Sequence, residues 1–139
     1  MREILFRGKC KYKGNWIEGY IVELGRESFS DPERYGICNK AIPIWGSGVC
    51  YNLKINEVIP ETVGQYTGLT DKNGKKIFEG DICKHRSNFS GNTVISVVTY
   101  TDGHFLALVC ENSGFELSEK LEIIGNIHDN PELLMGDTE

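Results

Sequence analysis

No apolar run in this 139-residue chain approaches the roughly 20 consecutive residues that a membrane-spanning helix requires. No apolar segment follows Met1-Arg2-Glu3, so no secretory leader is expected and the reading is a cytoplasmic protein without a membrane. Metal-site spacing is missing as well. Cys10, Cys38, Cys50, Cys83 and Cys110, with His85, His104 and His128, contain neither Cys-x-x-Cys nor His-x-x-x-His, the patterns that would place zinc ligands on one short element. An odd number of cysteines without close pairing argues for free thiols in a reducing compartment rather than a disulfide framework. The Gly-x-x-x-x-Gly-Lys-Ser/Thr loop that cradles phosphates is absent too.

What is present reads mainly as β. At 40% hydrophobic content the chain can fill one core or two small ones. Phe6, Gly8, Cys10 and Tyr12 alternate with Arg7, Lys9, Lys11 and Lys13, which predicts a strand with one apolar and one basic side. Gly14-Asn15 turns it, and Trp16 to Val22 returns as the second arm of a hairpin. Gly25 to Gly48 is punctuated by glycine, proline, Ser28, Ser30 and Asp31-Pro32, and predicts a long loop. Val49 to Leu53 and Glu57 to Ile59 predict two short strands, the second ended by Pro60.

The second half has its own pattern. Asp71-Lys72-Asn73-Gly74 predicts a tight turn, because Asn and Gly accept positive φ cheaply. Gly80 allows a bend before a strand over Asp81 to His85. Thr93 to Tyr100 and His104 to Cys110 predict a hairpin around Asp102-Gly103. Leu121 to Ile124 adds a last strand, and Asn130-Pro131-Glu132-Leu133-Leu134 predicts a short capped helix. The expected architecture is an N-terminal β-hairpin unit over 1–61 and a small SH3-like β-barrel over 62–139 with one short C-terminal helix.

The order Val58-Ile59-Pro60-Glu61-Thr62-Val63-Gly64-Gln65-Tyr66-Thr67-Gly68-Leu69-Thr70, continuing through Asp71, Gly74 and Glu79-Gly80-Asp81-Ile82, is more particular than composition alone would produce. With Ile123-Ile124-Gly125-Asn126-Ile127-His128-Asp129-Asn130-Pro131 near the end, it closely resembles the YopX family of small proteins of bacteriophages and prophages of Gram-positive bacteria. Leu5-Phe6-Arg7 and Trp16 are similar to the family's opening as well. The resemblance implies a phage context and carries no assigned biochemical activity. It makes Gly64, Gln65, Tyr66, Gly68, Asp71, Gly74, Gly80, Asp81, Gly125 and Asn126 architectural residues, with the glycines at positions where a Cβ would clash.

Catalytic readings fare poorly. Asp71 to Gly74 matches part of a calcium loop, but the twelfth position is Gly80 instead of a carboxylate. Cys83 beside His104 on a neighbouring strand would make a nucleophile pair, and Glu79 with Asp81 an acid–base pair. The plainer reading has Cys83 as a buried small hydrophobe and both carboxylates holding the turn through main-chain N–H groups. No enzyme and no cofactor is expected.

Binding readings survive better. The net charge of −5 disfavours general attraction to nucleic acid, yet residues 1–16 carry five basic residues against one acidic and residues 111–139 eight acidic against one basic. Arg7, Lys9, Lys11 and Lys13 would stand about 7 Å apart on one strand face, a spacing suited to phosphates, with Tyr12 available for stacking. Alternatively the lysines guard an exposed sheet edge. Lys75, Lys76, Lys84, His85 and Arg86 form a second basic group, split by Glu79 and Asp81. The reading that emerges is a non-catalytic binding or assembly module, possible as a homo-oligomer, with a nucleic-acid accessory role through the basic strand as the alternative.

Overall fold

The computed structural model describes residues 3–44, 51–86, 91–110, 113–118 and 120–135. It divides into two compact units, Glu3–Gln65 and Tyr66–Glu139. Trp45, Cys50 and the start of the strand predicted at Val49 lie outside the described residues, as does most of the loop predicted from Arg86 to Asn92.

In the first unit, β1 (Phe6–Lys9), β2 (Trp16–Leu24), β3 (Arg34–Pro43) and β4 (Tyr51–Val58) follow one another as antiparallel neighbours. The opening residues of β5 (Gly64–Thr70) add to the free side of β1, pairing Gly64 with Arg7 and Gln65 with Phe6. Cys10, just past β1, bridges to Val58 at the end of β4. The inward row Cys10, Ile17, Ile37 and Val58 forms the core, with Ile21, Tyr35 and Val63 packed against it. Period-2 alternation along β2 explains the choice of face: Ile17 is buried while its neighbour Glu18 is exposed.

Two sequence expectations fail here. The segment taken for a long loop contains β3, ten residues long. Gly36, Asn39 and Pro43 disguise it, and a bulge between Cys38 and Lys40 breaks the alternation by which strands are recognised. The two short strands expected over 49–59 are one continuous β4.

In the second unit the rest of β5 pairs with β6 (Lys76–Phe78). A five-stranded antiparallel sheet runs in the order β10 (Ser113–Glu116), β9 (His104–Cys110), β8 (Thr93–Thr101), β7 (Asp81–Arg86), β11 (Glu122–Asn126). Ile77, Cys83, Val98, Ala107 and Leu121 make its core. The hairpin predicted around Asp102-Gly103 forms, with Thr101 opposite His104 and both turn residues at positive φ, 51° and 84°, as a two-residue loop requires. Gly80 bends the chain at φ 90°, donates its N–H to Val98 O at 2.8 Å and accepts that of Ile127 at 3.0 Å.

The predicted SH3-like barrel is not what forms: among the described residues the sheet is open, with β10 and β11 at opposite edges. Nor does a capped helix close the chain. Pro131–Leu134 is a single 3₁₀ turn and Asn130 gives it no side-chain cap. The Asn130 carboxamide oxygen instead accepts the Asn126 N–H at 3.3 Å, and one turn held in this way is too short to bury an apolar stripe.

Candidate functional surfaces

The residues of the 62–82 block and its C-terminal counterpart do architectural work. Asp71, 4% exposed, accepts the N–H groups of Asn73 and Lys75 on Oδ1, each at 2.9 Å, and that of Ile123 on Oδ2 at 3.0 Å. Burial pushes its carboxyl up, but the N–H groups of Ile123, Lys75 and Asn73 outweigh it and hold the group below the usual aspartate range. Asp81 Oδ2 accepts the Phe78 N–H at 2.8 Å. Asn126 Oδ1 accepts the N–H groups of His128 and Asp129 at 3.0 and 2.9 Å. Tyr66 is buried, with its ring centroid 5.5 Å from that of Phe78. The expected Cβ clash holds at Gly125, where the added atom would stand 2.5 Å from Asn130 Oδ1, but not at Gly68 and Gly74, which have nothing within 4 Å, nor at Gly80, whose nearest neighbour is at 3.7 Å; at these three it is the positive φ that favours glycine.

The catalytic pair considered for Cys83 is not assembled. Cys83 on β7 and His104 on β9 are not on neighbouring strands but flank β8, Cys83 opposite Ser96 and His104 opposite Thr101, an offset of five positions or about 17 Å along the strand in addition to the two strand spacings between them. Burial, then the charges of Asp81 and Asp71, push the Cys83 thiol up to about 12, far from a reactive thiolate. Among the described residues no group of three or more His, Cys, Asp or Glu side chains is placed to hold a metal ion. No helix among them is long and apolar enough to cross a membrane.

The basic row of the first strand disperses, because β1 ends at Lys9 and the chain turns through Cys10 to Gly14. Arg7 is buried, its guanidinium carbon 4.9 Å from the Trp16 ring centroid, a cation–π contact that takes the charge out of solvent. Lys9 Nζ stands 6.0 Å from the same ring. Lys11 Nζ pairs with Glu57 Oε2 at 3.1 Å. Tyr12 and Lys13 line a cavity of about 400 Å³ with Leu24, Ile55 and Glu57.

Glu57 anchors that neighbourhood. Arg34, paired with both of its oxygens, and then Lys11 hold its carboxyl at about 2 against an ordinary 4.5. A folded-state value below the unfolded one adds stability that is complete above the unfolded value and lost as pH falls toward the folded one. Acid titration of the first unit, followed by tryptophan fluorescence, is therefore expected to show stability falling between pH 4.5 and about 2 in the wild type. Arg34→Gln should flatten that slope; an unchanged profile would show that the pair contributes nothing.

Two surfaces remain, the first missed by sequence reasoning and the second only half read by it. The first is the outer half of the β3–β4 hairpin. Among the described residues, β3 past Cys38 pairs only with β4, and β4 from Tyr51 to Ile55 pairs only with β3. Every residue from Asn39 to Ile44 and from Tyr51 to Ile55 is exposed, including Ile42, Ile44, Tyr51, Leu53 and Ile55. The cross-strand pairs Tyr51 with Pro43, Leu53 with Ala41 and Ile55 with Cys38 put one continuous apolar row on a single face. A two-stranded ribbon is marginal in water by itself. A Gly/Pro-rich context hid this row from pattern reading.

The second surface is a cleft of about 260 Å³ in the second unit, lined by Lys72, Lys84, His85, Arg86, Thr93, Lys120 and Glu122. Lys84, Arg86 and Thr93 share a face with Glu122 because Glu122 lies opposite Lys84 and Thr93 opposite Arg86. Of the second basic group read from the sequence, Lys84, His85 and Arg86 contribute; Lys75 and Lys76 are not among the lining residues, and Lys72 and Lys120 join instead.

No curated protein matches the chain. Among solved structures, protein EF1440 from Enterococcus faecalis is similar, at 26% identity over 96% of this chain and 99% of that one, with a TM-score of 0.62. The family model described as YopX protein matches residues 5–135. With nearly its whole length accounted for in this way, the chain belongs to the YopX family.

Proposed function

We propose that this YopX-family chain is a phage or prophage protein acting in the bacterial cytoplasm as a non-catalytic assembly module, and that its partner is a second copy docked along β4. The observation that carries the reading is the exposed outer half of the β3–β4 hairpin, which has apolar side chains and unpaired strand edges among the described residues. Proteins blunt such edges or cover them. The outer edge of β3 is blunted by its bulge, Lys40 and Pro43. The edge of β4 carries only Lys54 as a guard.

Self-pairing suits the strand's own pattern. Glu57 O turns outward to accept the Lys11 N–H, so Ile55, Leu53 and Tyr51, at steps of two, present their main-chain groups to the same edge. Two β4 strands meeting antiparallel about a two-fold axis at Leu53 set Tyr51 opposite the partner's Ile55 and Asn52 opposite the partner's Lys54. The apolar row is then continuous across both copies. Centring on Lys54 would instead oppose like charges, which is destabilising.

The nucleic-acid alternative draws less support, since Arg7 is buried against Trp16 and Lys11 is held by Glu57. Light scattering on a size column tests the assembly reading. Wild type is expected at twice 15.6 kDa regardless of salt, and Leu53→Lys at the monomer mass with unchanged circular dichroism. A monomeric wild type, or a Leu53→Lys variant that stays dimeric, would overturn it.

A further inference from the structure

We propose that the cleft of the second unit binds the oligophosphate end of a small ligand. Among the described residues its lining carries four fixed cations, Lys72, Lys84, Arg86 and Lys120, against the carboxylate of Glu122, a local charge of +3 from these side chains on a chain whose net charge is −5. Such a reversal within one concave site concentrates field lines and draws anions.

The side chains are arranged in advance. Glu122 Oε2 accepts from Lys72 Nζ at 3.1 Å and lies 3.5 Å from Lys84 Nζ. Each ammonium has three donors, so one is spent on orientation and two remain for a ligand. Lys72 first, then Lys84, holds the Glu122 carboxyl below its ordinary value, which keeps the tether charged. Arg86 is fixed in the same manner, donating Nε to Gly91 O at 2.8 Å and leaving its terminal nitrogens to fork onto a phosphate. Thr93, opposite Arg86, adds a hydroxyl.

Side chains at Lys84 and Arg86 stand about 7 Å apart along the strand, which exceeds the reach of one carboxylate and suits two linked phosphates. Among the described residues no Phe, Tyr or Trp lines the cleft, so none of these offers a base an aromatic face to stack on. That distinguishes it from a single-stranded nucleic-acid groove, where cations alternate with stacking platforms.

Calorimetry on the full chain at low salt, with pyrophosphate, tripolyphosphate, sulfate and a mixed 12-mer oligonucleotide as separate titrants, tests the assignment. The two oligophosphates are expected to bind saturably at one site per chain, at least about tenfold more tightly than sulfate. Arg86→Gln and Lys120→Gln, made separately in case the first disturbs its loop, should each weaken them about tenfold or more, the scale of one charge-assisted hydrogen bond. Lys13→Gln, in the other unit, should change nothing. Equal binding of sulfate, no effect of either cleft substitution, or tight binding of the oligonucleotide with none of the oligophosphates would each overturn the proposal. Loss of dimerisation in Leu53→Lys should leave this binding intact, so the two proposals fail separately.

Discussion

Asp71→Ala is expected to destabilise the second unit by about 3 kcal/mol or more, the sum of three main-chain donors each costing about 1 kcal/mol or more when left without an acceptor in a dry site. One carboxylate does three jobs there. Its Oδ1 closes the turn between β5 and β6 through Asn73 and Lys75, while its Oδ2 ties that turn to Ile123 on β11, 52 residues away in sequence. Small domains are stable by only about 5–15 kcal/mol, so the variant should lose roughly a fifth to three fifths of its margin and unfold at clearly lower urea. Urea titration followed by circular dichroism provides the measurement. Asp71→Asn, which keeps the size but turns one acceptor into a donor, should fall between wild type and alanine. A variant within about 0.5 kcal/mol of wild type, the range of an ordinary surface change, would show that the three N–H groups find other partners. The sign of the pH effect is also set: the folded carboxyl lies below its unfolded value, so its contribution is present above about pH 4 and declines on acidification.

Leu53→Cys is expected to convert the dimer into a covalent one under mild oxidation, nearly to completion. At a two-fold axis the residue faces itself. In a hydrogen-bonded antiparallel pair the Cα atoms are about 5.5 Å apart, inside the reach of a disulfide. Ile55→Cys should not cross-link, because that register places it opposite the partner's Tyr51 and about 13 Å along the strand from its own copy. Pairing Ile55→Cys protein with Tyr51→Cys protein should restore the link between unlike chains. Non-reducing gels read the result, with wild type as the control for Cys10, Cys38 and the other native thiols. Strong cross-linking by Ile55→Cys alone, or none by Leu53→Cys in a sample that is dimeric by mass, would refute the register.

Much of the second unit was legible in the sequence because its local chemistry and its fold agree. Asp102-Gly103 between runs of β-branched and apolar residues can make little besides a two-residue hairpin, and Asp71 to Gly74 carries the turn residues its geometry demands. The first unit hid more. In β3, Gly36, Asn39 and Pro43 each argue against a strand when read singly; pairing overrides them, Gly36 being held by β2 and β4, Pro43 by β4, and Asn39 taken up in the bulge. The basic row failed for the opposite reason: alternation from Phe6 to Lys13 is regular, yet Cys10 donates to Asn15 O and Gly14 to Cys10 O, so hydrogen bonding ends the strand where the pattern does not. The cleft was half visible. Lys84-His85-Arg86 can be read from the chain, whereas Lys72 and Lys120 reach it only because Lys72 donates its N–H to Leu121 O at 2.9 Å, a tertiary contact no spacing encodes.

Among the described residues each unit has a buried thiol, Cys10 in the first and Cys83 in the second. A thiol-alkylating reagent can reach either only while its own unit is open. The order in which the two cysteines become modified is thus a built-in clock for whether the units breathe together or one at a time. Reading it requires no label beyond the residues already present.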